Sequence, residues 1–276
     1  MDFAKLDITD DVVFACVMQD ADICKCMLEY LLPELKISKI EYLAENGERM
    51  EPQPQVQRFF AESVSHRGVR LDVYLDDGRT VYNIEMQTGA MPLAKRARLY
   101  QAHIDINQLS RGSDYEELKP CYVIFICTFD PFDEDRYVYT FQNTCDQIPG
   151  KRLEDGTYKC FFNTGGHVGE IPERLRQLLA YMNDTAAYNV EQTENELIRR
   201  IHDRVAFLKQ DDDWRNEYMV YELKMRDKLM EGRKEGIKEG RAGILLKMLQ
   251  SGMTCEAVAG MCDVPIAEVR ALAAQA

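Results

Sequence analysis

Two acidic residues in one short segment could share a metal ion. Residues 67–87 contain two alternating runs around an Asp-Asp-Gly turn, a pattern typical of a β-hairpin. If residues 75 and 80 pair across the turn, Asp72 and Glu85 are diagonal neighbours on one face, roughly 7–8 Å apart at the backbone. Two carboxylates at that separation can converge on one hard cation such as Mg2+, which binds oxygen at ~2.0–2.1 Å.

The same hairpin also fits a purely structural interpretation. Tyr82, Ile84 and Met86 alternate toward the core, which leaves Asp72 and Glu85 on the opposite face. A half-exposed hairpin commonly carries acids on its outer, solvated side. Taken by itself, the alternation therefore favours a solvated outer face over a metal site.

Bulk composition restricts the class of protein. The chain has 276 residues, of which 46% are hydrophobic and 29% charged, and this indicates a soluble globular protein. No apolar run approaches the ~20 residues that span a bilayer, and the first residues lack a secretory signal, so we expect a cytoplasmic protein with no membrane partner. The nine cysteines and four histidines are dispersed without metal-binding spacing, which argues against structural zinc.

Charge is unevenly distributed along the chain. A formal net charge of -13 argues against wholesale electrostatic wrapping of nucleic acid. The window 93–111 is locally positive, with one acid and four basic residues, Lys95, Arg96, Arg98 and Arg111. It follows the candidate metal site directly, and it is either a phosphate-binding surface or an ordinary solvated helix face.

The order of the predicted elements is α-β-β-β-α-β. A helix is predicted over residues 9–32 with Thr9 as its N-cap, and a first strand over 35–43. A loop over 44–57 and the two hairpin strands follow. A second helix is predicted from Pro92 to Arg111, and then a buried strand over 122–129. The apolar stripe expected on that second helix consists of Leu99, Ala102, Ile106 and Leu109.

The second half of the chain predicts an added hairpin and a helical extension. Runs at 137–141 and 158–162 indicate a hairpin beside the core, and residues 171–209 and 214–229 are helical by composition and period. Glycines at 232, 236 and 240 form a charged Glu-Gly repeat, which is either a flexible tether or a helix stabilised by close approach of a second chain. Two short helices around 255–261 and 266–272 resemble a helix-turn-helix. We therefore divide the chain into a core at 1–145, an added hairpin and helix at 146–190, a tether at 191–244 and a tail at 245–276.

Asp72, twelve residues, Glu85, one residue and Gln87 resemble the PD-(D/E)XK nuclease signature. The resemblance is closest to the recombination-promoting nucleases of the Rpn family, which are also called PD-(D/E)XK family transposases and whose motif usually ends in Glu-x-Gln. Further segments resemble the family in the same order, among them residues 11–14, 95–100, 115–120 and 162–164. The resemblance therefore extends over most of the chain.

This resemblance implies a fold, a chemistry and a set of site residues. The implied fold is α/β, a restriction-endonuclease-like αβββαβ core with a C-terminal helical extension, and the implied activity is a metal-dependent DNA endonuclease. Asp72 and Glu85 would bind Mg2+, with Mn2+ as a substitute, and Gln87 would orient the attacking water. Asp11 would be an outer acid of the site, although it also suits the first turn of a helix. The phosphate-binding candidates are Lys95, Arg96 and Arg98.

Two further functions remain compatible with the sequence. Gln87 cannot act as a base or carry positive charge, so the chain could be a catalytically weak or inactive nuclease fold that binds DNA or other partners. The repeats and tail could also assemble homo-oligomers through the C-terminal helical region. A biological role in recombination, mobile-element biology or phage defence is implied by the resemblance alone.

Overall fold

A computed structural model describes residues 2–35, 37, 42–43, 49–50, 55–60, 69–109 and 112–274. The chain forms two compact units, residues 1–211 and residues 212–276, and each is described by itself. The first unit contains every candidate site residue predicted from the sequence. Its architecture is mixed α/β, which confirms the predicted fold class at that level.

The described strands of the first unit form a large sheet and a separate short pair. The strands are β1 (Tyr42–Leu43), β2 (Arg49–Met50), β3 (Gln55–Phe60), β4 (Val69–Asp76), β5 (Val81–Gln87), β6 (Cys121–Cys127), β7 (Val138–Phe141) and β8 (Thr157–Asn163). β1 pairs with β2, and the other six form one sheet in the order β3-β4-β5-β6-β8-β7. The sheet is mixed, because β5, β6 and β8 run parallel whereas the remaining pairs are antiparallel.

Helices cover both faces of this sheet. They are α1 (Asp11–Val17), α2 (Ala21–Leu31), α3 (Leu93–Gln108), α4 (Glu173–Asn183) and α5 (Glu196–Gln210). α3 connects the parallel strands β5 and β6 and packs on one face, whereas α1 contacts β4 and β5 and also α5. A parallel pair needs a crossover connection of this kind, and the sequence places a helix there. All seven residues of β5 are therefore buried, on both faces.

The first helix of the prediction is divided into two. The Asp10 side chain accepts hydrogen bonds from the N–H groups of Val12 and Val13 and begins α1, so Asp10 and not Thr9 is the N-cap. Asp20 accepts in the same way from Asp22 and begins α2. The single helix over 9–32 was wrong because a second capping aspartate interrupts it.

The strand predictions differ from the structure at both sheet edges. The first strand of the large sheet is β3, which begins inside the predicted 44–57 loop, whereas most of the predicted 35–43 strand lies outside the described residues. The hairpin of the second half is present, but β8 pairs with both β6 and β7 and is interior to the sheet. The added hairpin is therefore part of the core sheet, because β8 pairs with β6 through non-local contacts that local patterning does not reveal.

The buried face of α3 is not the predicted apolar stripe. Leu99 and Ile106 are 41% and 63% exposed, whereas Tyr100 and Ile104 are buried against the sheet. These buried residues pack with a cluster from β5, β6 and β8 that includes Phe125 and Phe161. The prediction of this stripe was wrong because α3 presents to the sheet a face that carries polar as well as apolar side chains. This orientation determines which side chains of α3 reach the candidate site.

The described residues of the second unit form three helices, α6 (Asp212–Gln250), α7 (Cys255–Cys262) and α8 (Ile266–Ala273). The Glu-Gly repeat is helical throughout, so the flexible-tether interpretation was wrong, whereas the two short tail helices are confirmed. The end of α6 packs with α7 and α8 through Leu245, Val258 and Val269. Arg270 of α8 forms an ion pair with Glu256. Among the helices of the described residues, none has the length and apolar character to cross a membrane.

Candidate active site

Asp72 and Glu85 lie side by side at the end of the hairpin. β4 and β5 pair Val73 with Ile84, and extending this register by one residue places Asp72 opposite Glu85. The Asp72 N–H donates to Glu85 Oε1 at 3.1 Å, and the Met86 N–H donates to Asp72 Oδ2 at 3.2 Å. Each carboxylate therefore accepts a hydrogen bond from the backbone of the opposite strand.

The predicted hairpin register was wrong by two residues. Leu75 pairs with Tyr82 and not with residue 80, because the turn spans Asp77 to Thr80. The Asp77 side chain accepts hydrogen bonds from the N–H groups of Arg79 and Thr80 and stabilises this longer turn. The shift preserves the face of every side chain, and it brings the two acids from a diagonal to an opposed position.

The acidic face of the hairpin is buried beneath α3 and is not solvated. Glu85 is fully buried and Asp72 is only 5% exposed. Burial first and the charge of Asp72 second raise the pKa of Glu85 to about 8, although Arg96 and the Asp72 N–H act in the opposite direction. A solvated hairpin face would not produce such a shift. The prediction that this face is solvated is therefore wrong.

Arg96 of α3 reaches into this buried pair. Its Nη2 donates to Glu85 Oε2 at 2.9 Å, and its Nη1 donates to Gln87 Oε1 at 2.8 Å. Its Nε donates to the Tyr100 hydroxyl one turn further along the helix. The Arg96 side chain is 27% exposed, so the guanidinium lies between the acids and the solvent. Sequence reasoning grouped Arg96 with the phosphate-binding residues and missed this contact.

Gln87 is held at both ends of its carboxamide. Its Nε2 donates to the Met86 carbonyl oxygen at 2.7 Å, and its Oε1 accepts from Arg96. This orientation follows from the hydrogen-bond network, since the guanidinium can only donate. The amide is thus fixed next to Glu85 on the same face of β5.

An open cleft of about 890 Å³ lies in front of these residues. Five of the seven site residues predicted from the sequence line it: Asp11, Asp72, Gln87, Lys95 and Arg96. Glu85 lies behind the lining. Arg98 is exposed but does not line the cleft, because two residues turn a helix by roughly 200°.

The structure adds two residues that the sequence did not identify. Tyr100 orients Arg96, and its ring also packs against the core, where it stacks near Phe125. Asn83 is fully buried two residues before Glu85, where its amide makes no hydrogen bond of normal geometry to a described residue but lowers the pKa of Glu85. The i, i+4 spacing of Arg96 and Tyr100 places both side chains on one face of a helix and could have indicated their contact. The alternation of the strand placed Asn83 on the same face as Glu85, but Asn83 was not predicted to be a site residue.

The donor set suits a hard divalent cation. Asp72 lines the floor of the cleft and Glu85 adjoins it from behind, and carboxylate oxygens are the ligands that Mg2+ and Mn2+ prefer. No cluster of three or more His, Cys, Asp or Glu side chains with metal-binding geometry occurs among the described residues. Two protein ligands are compatible with Mg2+, which commonly retains several waters.

Comparison with known proteins identifies a family. The model of the PD-(D/E)XK nuclease family transposases matches residues 19–156, which is half of the chain. The match includes β4, β5 and α3, and therefore every predicted site residue except Asp11. Neither the curated proteins nor the solved structures gave a match. The mixed sheet with its covering helices is consistent with a nuclease-like fold. The chain belongs to the PD-(D/E)XK nuclease family transposases.

Proposed function

We propose that this chain is a divalent-metal-dependent DNA endonuclease that hydrolyses phosphodiester bonds. One observation carries the proposal: Asp72 and Glu85 are held side by side by reciprocal backbone hydrogen bonds at the base of an open cleft. Isolated buried carboxylates are costly, and such pairs concentrate at functional sites. The family match covers this pair.

Each residue of the cleft has a distinct role in hydrolysis. Asp72 and Glu85 would hold Mg2+ or Mn2+. A bound divalent ion supplies positive charge for the phosphate and lowers the pKa of a bound water. Gln87 positions a water through its amide but does not accept a proton, because a carboxamide is not a base. Asp11, which also lines the cleft, is the further acid of the site.

DNA is held at the rim of the cleft by the start of α3. Lys95 lines the cleft and is exposed, and the exposed Arg98 lies further along the same helix. Lysine and arginine side chains in such positions neutralise phosphates and release counterions. The description of the family as transposases supports a role in recombination or mobile-element biology.

Plasmid nicking tests the endonuclease. Purified protein is incubated with supercoiled plasmid in Mg2+, in Mn2+ and in EDTA, with Asp72→Asn and Glu85→Gln in parallel. Glu116→Gln serves as the matched control, because it removes an exposed carboxylate away from the cleft. We expect metal-dependent nicking by wild type and the control, and none by the two site variants. Nicking that survives both site substitutions refutes the proposed site.

One observation favours a second function, a nuclease fold that binds DNA or another partner without cutting it. Glu85 is fully buried and its Oε2 accepts a hydrogen bond from Arg96, so this carboxylate is occupied by a protein cation. In that case no metal supports nicking, and DNA retention in a gel-shift assay depends on Lys95 and Arg98. Retention by wild type that is lost in Lys95→Gln, together with absent nicking, identifies the binding module.

We also propose that the C-terminal helical region joins two copies of this chain. Four apolar side chains recur every seven residues along α6, and each is about half-exposed or more: Leu223 (55%), Met230 (49%), Ile237 (63%) and Ile244 (60%). Gly236, Gly240 and Gly243 lie together along one flank of this stripe, and no heavy atom lies within 4 Å of a Cβ built on any of them. A seven-residue apolar repeat is typical of a helix that packs against another helix, and glycine permits close approach.

Sedimentation velocity over a range of protein concentrations tests this association. Met230→Gln/Ile237→Gln removes two apolar residues of the repeat, and Glu231→Gln/Lys238→Gln changes the other flank of the stripe without changing net charge. We expect a concentration-dependent dimer for wild type and the control, and a monomer for the apolar variant. A dimer that persists in Met230→Gln/Ile237→Gln contradicts this interface.

A further inference from the structure

The acids of the site face a positive charge that comes from the helix and not from the motif. Gln87, two residues after the motif glutamate Glu85, is neutral. The guanidinium of Arg96 instead contacts both Glu85 and Gln87, at 2.9 and 2.8 Å. Sequence position separates Arg96 from Gln87 by nine residues, and the start of α3 brings the two side chains together.

We propose that Arg96 is a positioning residue that supplies the resident positive charge of this site, offsetting the Asp72–Glu85 pair and fixing the Gln87 carboxamide. The charge that a lysine at position 87 would provide in the Lys-ending form of the motif is thus provided from position 96. The consequence for cleavage rests on the proposed endonuclease function. The consequence for the stability of the acidic pair is independent of that function.

The geometry suits a guanidinium and not a freely moving cation. Arginine has five donors in a rigid planar fork, and here Nη2, Nη1 and Nε each donate to a different side chain. The third acceptor, Tyr100, is buried and lies one helical turn from Arg96, so it orients the guanidinium toward the acids. A lysine at position 96 has one ammonium and no planar fork, and it cannot reproduce all three directed contacts.

Position 87 can receive the charge in exchange. A lysine side chain is one bond longer than glutamine, so the ammonium of Gln87→Lys extends part of the way toward the position of Arg96 Nη1, which lies 2.8 Å beyond Gln87 Oε1. The space around Nη1 also adjoins Glu85, because the same guanidinium contacts it through Nη2. With Arg96 present the two positive charges compete for this space. With Arg96 shortened to methionine the space is open to the lysine.

Relocation of the charge therefore tests the proposal. Thermal unfolding is measured in EDTA at pH 9 for wild type, Arg96→Met, Gln87→Lys and Arg96→Met/Gln87→Lys. Lys95→Met is the matched control, because it removes a neighbouring exposed positive charge from the same helix. We expect Arg96→Met to lower the melting temperature by about 6 °C or more, since one partner of a buried ionic group is removed. The control remains within about 2 °C of wild type, and the double variant recovers at least half of the loss.

A double-mutant cycle with Glu85 provides a second measurement, which does not depend on how well lysine fits at position 87. In the Glu85→Gln background, Arg96→Met is expected to lower the melting temperature by less than half as much as in wild type, because the charge that Arg96 offsets is smaller. An equal loss in both backgrounds, or a double variant no more stable than Arg96→Met alone, overturns the proposal and leaves Arg96 as a packing residue.

Plasmid nicking separates this proposal from the endonuclease itself. If wild type nicks DNA, Arg96→Met is expected to be at least about 10-fold slower and Arg96→Met/Gln87→Lys to regain activity, because the positive charge that holds the acids and Gln87 in place is lost and then restored. If neither wild type nor any variant cuts, the endonuclease is refuted, and the melting temperatures still decide the role of Arg96. Nicking by Arg96→Met at the wild-type rate overturns the catalytic part of the proposal.

Discussion

Replacement of Glu85 by glutamine should stabilise the metal-free protein, and increasingly so as the pH rises. Burial and the neighbouring Asp72 raise the pKa of Glu85 from 4.5 to about 8 in the folded protein. The folded state therefore holds one proton more than the unfolded state between these two values. The contribution of Glu85 to stability is complete below the unfolded pKa and is lost as the pH rises through the folded pKa. Glutamine resembles the protonated carboxyl at every pH and does not show this loss.

The size of this stability loss follows from the interval between the unfolded and folded pKa values of Glu85. Each pH unit across it costs wild type about 1.4 kcal/mol of unfolding free energy, so the total loss is on the order of 5 kcal/mol by pH 9. Glu85 is fully buried, and solvent screening does not reduce this value appreciably. For a folded unit of this size, the difference between Glu85→Gln and wild type corresponds to about 10–20 °C in melting temperature.

Thermal unfolding in EDTA from pH 5 to pH 9 measures the effect. We expect the two melting temperatures to approach each other near pH 5 and to separate steadily above it, with Glu85→Gln the more stable. Glu116→Gln, which alters an exposed carboxylate, is the control and should follow wild type at all pH values. A difference that stays constant with pH, or wild type gaining on Glu85→Gln as the pH rises, refutes the reasoning, because it means that Glu85 is ionised with an ordinary or lowered pKa.

Three further outcomes are expected. Mg2+ at about 100 times its Kd raises the free energy of unfolding by about 2.7 kcal/mol, and calorimetry should show this gain in wild type but not in Asp72→Asn. Phe161→Ala removes a buried ring that stacks on Phe125 at 5.3 Å, and urea unfolding should report a loss of about 3–5 kcal/mol. Asp20→Ala removes the N-cap of α2 and should cost about 1 kcal/mol in the same assay, whereas no loss would contradict its capping role.

Local patterning was sufficient for several elements of the first unit. The alternation around the Asp-Asp-Gly turn predicted β4 and β5, and Pro92 correctly marked the start of α3. The apolar run after residue 121 predicted a strand covered on both faces, and β6 is such a strand. These features depend on residues close in sequence, so propensity and periodicity determine them.

Contacts between elements distant in sequence could not be predicted from local sequence patterns. β8 carries the same alternation as any edge strand, yet it pairs parallel to β6 and is interior to the sheet. The stripe with Leu99 and Ile106 had helical spacing, but the sheet packs on the face with Tyr100 and Ile104 instead. In both cases the burial of a face depends on which element covers it, and that element is distant in sequence.

The sequence by itself determined that Asp72 and Glu85 share one face of a hairpin, because side chains alternate along strands and a shift of two residues in register does not change the face. Only the tertiary structure decided what that face meets. The crossover from β5 to β6 lays α3 over the two acids, which removes them from water, raises the pKa of Glu85 and brings Arg96 into contact with it. Charge and burial at this site arise from the packing of a helix on a sheet, and neither is encoded in the spacing of the motif.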